Sequence, residues 1–384
     1  MFTETNVKKQ LSNLDFWLIG AICILSIFGI ICIGSATHIN LGADPDNFYK
    51  QMVWFAIGLA LMIVASLVDY EALSQFYVLF YILNIALLVA VLFLGKNTNG
   101  ATRWIALGPV NLQPSEFAKL IMIFFLAKFL TKKQEQINQF PTLLFVCITV
   151  LIPVILIQEQ PSLSASLVLL AILCITLFVA GIDFKIIRLV LYIVVPCIAF
   201  VLWDVSRETP LIMDKILKEH QFTRILTFVD PSRDMDSYYQ TEKAINAIGS
   251  GQLNGKGLYQ GTLNQLSYLP EPHNDFIFSV IGEEFGFIGC IVVLLLLLFI
   301  IFRCILIAVS IRDSFSQLIV VGVAGMIAFQ TFVNVGVATG IMPNTGMSLP
   351  FVSYGGSSMW TNMTAIGLVL NIGMKRSKSL FEGV

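Results

Sequence analysis

Charge is scarce in this chain: Asp, Glu, Lys and Arg make up 12% of its 384 residues, and the formal net charge is −1. With no basic stripe left over, nucleic acid is excluded as a partner. Histidine is nearly absent, with three residues in all. The seven cysteines (Cys23, Cys32, Cys147, Cys174, Cys197, Cys290 and Cys304) lie within or at the edge of apolar stretches and show no CxxC spacing. Neither a zinc site nor a disulfide framework is indicated, and these thiols read as small packing residues. No internal repeat is visible, which argues against a transporter built from inverted halves.

What the chain has instead is hydrophobic length. Apolar residues make up 57% of it, and a bilayer crossing takes about 20 of them in succession. The pattern predicts an all-α polytopic membrane protein of about ten spans, near Phe16–Ser35, Met52–Val68, Phe76–Leu94, Phe117–Leu130, Pro141–Ile157, Leu163–Ala180, Ile186–Trp203, Phe276–Phe302, Ser316–Gly340 and Ser357–Gly373. The first reads as a retained helix rather than a signal peptide. Lys and Arg then set the orientation. With the N-terminus inside, the inner segments hold Lys8, Lys9, Lys132, Lys133, Lys185, Arg188, Arg303, Arg312, Lys375, Arg376 and Lys378, against Lys50, Lys96 and Arg103 in the short outer loops. Both termini are therefore expected to be cytoplasmic. The whole chain, 1–384, reads as one membrane domain with a long outer loop at about 204–274.

The unusual residues gather on the outer side. The loop from Gly95 to Ser115 carries Arg103-Trp104 and ends in Gln113-Pro-Ser-Glu-Phe-Ala-Lys119. Pro114 suits a first helical turn, and Glu116 sits at the positive end of the helix dipole. Glu116 and Lys119 share a helix face, either as an ion pair that carries both charges into the membrane or as a charged wall of an outward cavity. The long loop shows an amphipathic pattern over Leu211–Leu226 and a helical one around Tyr239–Ile248, suited to helices lying on the outer leaflet. Five glycines follow between Ala247 and Gly261. Such backbone can approach a phosphate, with Lys256 supplying charge, or it is a plain flexible turn. The last outer loop, Met342 to Ser358, is rich in Gly and Pro, as in segments that line a cavity. Gln330 and Asn334, one turn apart, fit interhelical hydrogen bonding.

The segment Tyr268-Leu-Pro-Glu-Pro-His-Asn-Asp-Phe-Ile-Phe278 is the most informative. It places a carboxylate, Asp275, where a loop meets a span, and a charge at that depth is costly. Asp275 is either a helix N-cap or a functional group.

Together these motifs, with Arg224-Ile-Leu-Thr-Phe-Val-Asp-Pro231, Gly282-Glu-Glu-Phe-Gly286 and Leu349-Pro-Phe-Val-Ser-Tyr-Gly-Gly-Ser357, resemble the SEDS family of bacterial cell-wall polymerases (RodA, FtsW and SpoVE) over nearly the whole chain. The resemblance implies a multi-pass protein of the bacterial cytoplasmic membrane. It implies a peptidoglycan glycosyltransferase that takes lipid II among the membrane lipids, works with a class B penicillin-binding protein, and uses a divalent cation, Mg2+ or Mn2+, whose ligands the sequence does not reveal. Asp275 matches the general base. Arg103, Trp104, Glu116, Lys119, Lys256, His273, Ser353 and Tyr354 become candidates for binding substrate, the cations for holding the leaving pyrophosphate. A lipid II flippase and a non-catalytic scaffold are the competing functions. Two positions depart from the family pattern. Ser162 stands where an aspartate is expected, so that this carboxylate is dispensable, is replaced by Glu159, or is missed. Asn274 stands where Thr or Ser is commoner.

Overall fold

The computed structural model describes residues 14–38, 45–98, 101–108, 110–269 and 271–375. Lys8, Lys9, Arg376 and Lys378 of the charge pattern, and Gly100, Pro109 and Pro270 of the motifs, lie outside them. Long helices occupy all the predicted places: α1 (Phe16–Ala36), α2 (Asp46–Leu67), α3 (Tyr77–Leu94), α4 (Pro114–Lys132), α5 (Phe140–Glu159), α6 (Leu163–Ala180), α7 (Phe184–Ser206), α8 (Ile277–Val309), α9 (Ser314–Ala338) and α10 (Gly356–Lys375). Among the described residues eight helices are long and apolar enough to cross a membrane, and of the ten long helices α4 and α10 fall short. The reason is their position. Both bury most of their residues against other helices, so they meet protein rather than lipid and can carry Glu116, Lys119, Asn362 and Asn371. The chain is a multi-pass membrane protein.

Two sets of bonds mark the two ends of the bundle. At one end, Arg303 pairs with Asp15 at 2.6 Å, Lys375 with Asp69 at 3.1 Å, and Tyr70 meets Ser316 at 3.0 Å. At the other, the Gln113 amide donates to Ser357 at 2.9 Å, Ser353 to the Asn274 carbonyl at 2.7 Å, and the Gly355 amide to Gln51 at 3.1 Å. Successive helices therefore run antiparallel, and the second end collects the predicted outer loops.

Helices α4, α6, α8 and α9 pack together at the centre, and α10 lies chiefly against α2. Helix α7 stands apart. Asp204 and Val205 are its buried residues, and it packs on two short helices of the long loop, Met213–Ile216 and Glu219–Val229. A third loop helix, Met235–Ser250, packs on α8 and α9 and buries Ala244 and Ala247. These are the amphipathic segments read from the sequence, with their ends shifted. The loop from Gly95 to Ser115 departs from the all-α expectation. It forms a three-stranded antiparallel sheet of β1 (Lys96–Thr98), β2 (Ala101–Leu107) and β3 (Val110–Leu112). Its alternating side chains, which send Arg103 and Trp104 to opposite faces, were hidden among longer apolar runs.

Helix α8 is broken at Gly286, whose φ of 65° and ψ of −162° are outside helical geometry. The glycine-rich segment repairs the break. The amides of Lys256 and Gly257 donate to the carbonyls of Glu283 and Glu284 at 3.0 and 2.9 Å, and those of Phe287 and Ile288 donate to Gln252 and Leu253 at 2.8 and 3.2 Å. A Cβ on Gly255 would collide with the Glu284 carbonyl, and one on Gly251 with that of Gly282. Gly251 and Gly255 serve close backbone approach to a broken helix.

Candidate active site

Asp275 sits in a run of turns just before α8. Phe276 occupies the N-cap position, and no side chain caps this helix. The N-cap reading of Asp275 therefore fails. Among the described residues its carboxylate accepts no hydrogen bond, whereas its backbone carbonyl receives the Asn334 amide at 2.9 Å. Burial pushes the carboxyl up from 3.8 to about 6; Arg224 pulls it down, Glu271 pushes it up and Arg103 pulls it down. Desolvation wins over two guanidiniums, leaving a carboxylate that is ionised at neutral pH and basic enough to accept a proton.

The last outer loop holds it there. Ser353 Oγ donates to the Asn274 carbonyl and accepts the Leu349 amide at 2.8 Å, and the Tyr354 amide donates to the His273 carbonyl at 2.9 Å. The Ser353 hydroxyl is thus engaged in fixing the loop. The Tyr354 ring lies edge-on to His273, with centroids 5.3 Å apart, and 4.9 Å from Trp54. Burial holds the His273 imidazole below its usual value and the Tyr354 phenol up at about 12, so both are neutral here. On the remaining side, a Cβ added at Gly346 would lie 3.3 Å from Asp275 Oδ2, a position where φ is +71°. Glycine leaves the approach to the carboxylate open.

Arg103 and Arg224 supply positive charge. Arg103 donates from Nε to the Gln160 carbonyl at 3.1 Å and from its terminal nitrogen to the Pro161 carbonyl. It thereby ties the β-sheet to the turn between α5 and α6. Burial and the Arg224 charge lower its pKa, and Asp275 raises it. Arg224, on the helix Glu219–Val229, is depressed by burial and raised by Asp275. No role was assigned to Arg224 from the sequence, although it opens one of the quoted motifs; nothing local distinguishes it from any cation on an amphipathic helix. Trp104 is half-buried.

Other candidates are committed elsewhere. Lys119 and Glu116 are both buried and pair at 2.6 Å. Of the two readings, the ion pair is what the structure holds, and neither charge is among those acting on Asp275. Lys256 pairs at 2.7 Å with Glu283, which also accepts the amides of Leu263 and Asn264 at 2.8 and 3.0 Å. Lys256 is thus a brace of the repaired helix. Glu159 pairs with Lys218 at 3.0 Å, half exposed, and does not replace the missing aspartate. Ser162 is buried, its carbonyl accepting the Ser166 hydroxyl at 3.1 Å.

A divalent cation can be tested against these donors. Among the described residues no three His, Cys, Asp or Glu cluster. Asp275 faces two guanidiniums, and Glu271 is largely exposed. A cation held by the protein asks for several oxygen ligands, and this donor set does not fit one.

Comparison with known proteins agrees over the full length. The family FtsW/RodA/SpoVE, described as "Cell cycle protein", matches residues 15–378. The chain is 35% identical over 377 residues to a probable peptidoglycan glycosyltransferase FtsW of Wigglesworthia glossinidia brevipalpis, covering 95% of each. It is 35% identical over 370 residues to stage V sporulation protein E of Bacillus subtilis, covering 93% of this chain and 96% of the relative. Among solved structures it resembles a chain of a peptidoglycan synthase complex described as coordinating polymerization and crosslinking, with a TM-score of 0.78, 30% identity and coverage of 95% and 99%. It also resembles the rod shape determining protein RodA of Thermus thermophilus, with a TM-score of 0.68, 28% identity and coverage of 95% and 98%.

Proposed function

This chain belongs to the FtsW/RodA/SpoVE family, and from that membership and the surroundings of Asp275 we propose that it is a peptidoglycan glycosyltransferase of the bacterial cytoplasmic membrane. Its substrate is lipid II, polymerised at the outer face. The observation that carries the mechanism is a half-buried, unbonded carboxylate that feels the charges of two arginines at the end of the bundle where the outer loops converge.

The acceptor sugar's hydroxyl attacks the anomeric carbon of the donor. As the new C–O bond forms, the bond to the pyrophosphate breaks and the hydroxyl proton passes to Asp275, the general base. Arg103 and Arg224 hold the charge that develops on the departing pyrophosphate, in a site where burial strengthens each interaction. Trp104, on the opposite face of β2 from Arg103, offers an aromatic face to substrate. His273, Ser353 and Tyr354 hold the Asp275 loop in place. No step requires a cation held by the protein.

The class B penicillin-binding protein is the partner in this reading, supported by the likeness to a complex that joins polymerization to crosslinking. The test is polymerisation of purified lipid II by the protein with its cognate transpeptidase. Glycan chains from the native protein and none from Asp275→Asn, with folding and lipid II binding retained, are expected. Equal activity in both removes Asp275 from the role of base. Transbilayer movement of lipid II without polymer would instead favour the flippase.

A further inference from the structure

At the end of the bundle opposite Asp275, the helix ends leave a cleft of about 800 Å3. Its walls come from the segment after α2, the end of α4, the α8–α9 connection and the end of α10. Three carboxylates and three cations line it, but they are not equivalent.

The carboxylates are taken. Asp69 accepts the Glu71 amide at 3.1 Å and pairs with Lys375, which also reaches Glu71 at 3.5 Å. Asp313 accepts the amide and hydroxyl of Ser316 at 2.9 and 2.7 Å. The other two cations, Lys128 and Arg312, form no ion pair and donate no hydrogen bond among the described residues. The Lys128 ammonium lies over the Phe315 ring, 4.9 Å from its centroid. Thr131, three residues on and on the same helix face, has a buried hydroxyl with no partner. Lys128 thus faces the cleft with only the ring, and no carboxylate, as its partner. The floor is apolar, formed by Tyr70, Phe315 and Ile372.

We propose that this cleft binds the headgroup phosphate of an anionic phospholipid from the adjacent leaflet, held by Lys128 and Arg312. Three observations favour a lipid over a soluble phosphate. The cleft is bounded by the ends of membrane helices, which is headgroup level. Its cations stand over an apolar floor suited to the glycerol and first methylenes. The charge pattern also makes this the cytoplasmic side, where anionic lipids meet basic pockets between helices. The occupied cleft would tie together the ends of α2, α4, α8, α9 and α10.

Native mass spectrometry and thermal melting of the full chain in neutral detergent test this. Phosphatidylglycerol should remain bound and raise the melting temperature, and phosphatidylcholine should do neither. Lys128→Gln with Arg312→Gln should weaken phosphatidylglycerol binding roughly thirtyfold and leave lipid-free melting unchanged. Lys128→Arg with Arg312→Lys should retain binding and so covers the case where the neutral variant does not fold. Lys185→Gln with Arg188→Gln, outside the cleft on the same side, should change nothing. The proposal is overturned if that control loses binding equally, or if phosphatidylcholine binds as well. It is also overturned if inorganic phosphate or an acidic peptide stabilises the protein while the lipid does not.

Discussion

The Asn334 side-chain amide donates to the backbone carbonyl of Asp275 at 2.9 Å and to that of Met347 at 2.6 Å. One side chain of α9 thus fixes the height of the carboxylate-bearing loop against the last loop of the chain. Asn334 is a positioning residue. Asn334→Leu leaves two carbonyls without a donor, at about 1–3 kcal/mol each where they are buried. Turnover of lipid II should fall at least about tenfold, since small misplacements are costly, while lipid II affinity is retained. Steady-state kinetics with a separate binding measurement would check this; a loss confined to KM would contradict it.

Asp275 acts as a base only when ionised, so with its carboxyl at about 6 activity should fall as pH drops through 6 and level off above it. Removing Arg224 raises that value further. Arg224→Gln should therefore move the acid limb of the pH–rate profile upward, besides lowering the maximal rate. An unmoved limb would separate Arg224 from Asp275.

The same carboxylate costs stability. Its folded value lies above 3.8, so the folded state binds the proton more tightly than the unfolded chain, and stability falls as pH rises from about 3.8 through about 6. At neutral pH the cost is at most about 3 kcal/mol. Asp275→Asn should melt at a higher temperature than the native protein at pH 7.5 and show little difference near pH 4. A lower melting temperature at pH 7.5 would refute the burial argument.

Lys256 braces a Glu283 that is fully buried. Lys256→Met should destabilise the protein by about 3 kcal/mol, the usual cost of leaving a buried charge unpaired. Lys256→Met with Glu283→Gln should recover much of that. A pyrophosphate-binding Lys256 would instead lose activity with stability intact. Thermal melting and activity measured on both variants distinguish the two roles.

The helices were legible because lipid demands unbroken apolar length, and α4 and α10 were found as well because their polar residues leave apolar runs between them. The small sheet was not, since β1 and β3 are too short to show a period. The place of Asp275 at a loop–span junction singled it out but left it open between a helix N-cap and a functional group, and only the family resemblance pointed to a base. Arg224, Asn334 and Glu283 were out of reach as site or support residues, because each acts on groups 13 or more residues away in the chain. The glycines of 247–261 misled for a related reason. Their partner is the Gly286 break, which no local pattern announces.

That break also divides α8 into two unequal lengths. Below Gly286, α8 continues for roughly 23 residues, about 34 Å at 1.5 Å per residue, enough by itself to cross the hydrocarbon. The half-helix above it, which Asp275 precedes by two residues, is therefore length beyond what the crossing needs. In the proposed reaction, that surplus length lets a sugar carried on a lipid tail meet Asp275 while the tail keeps its place beside the longer half of α8.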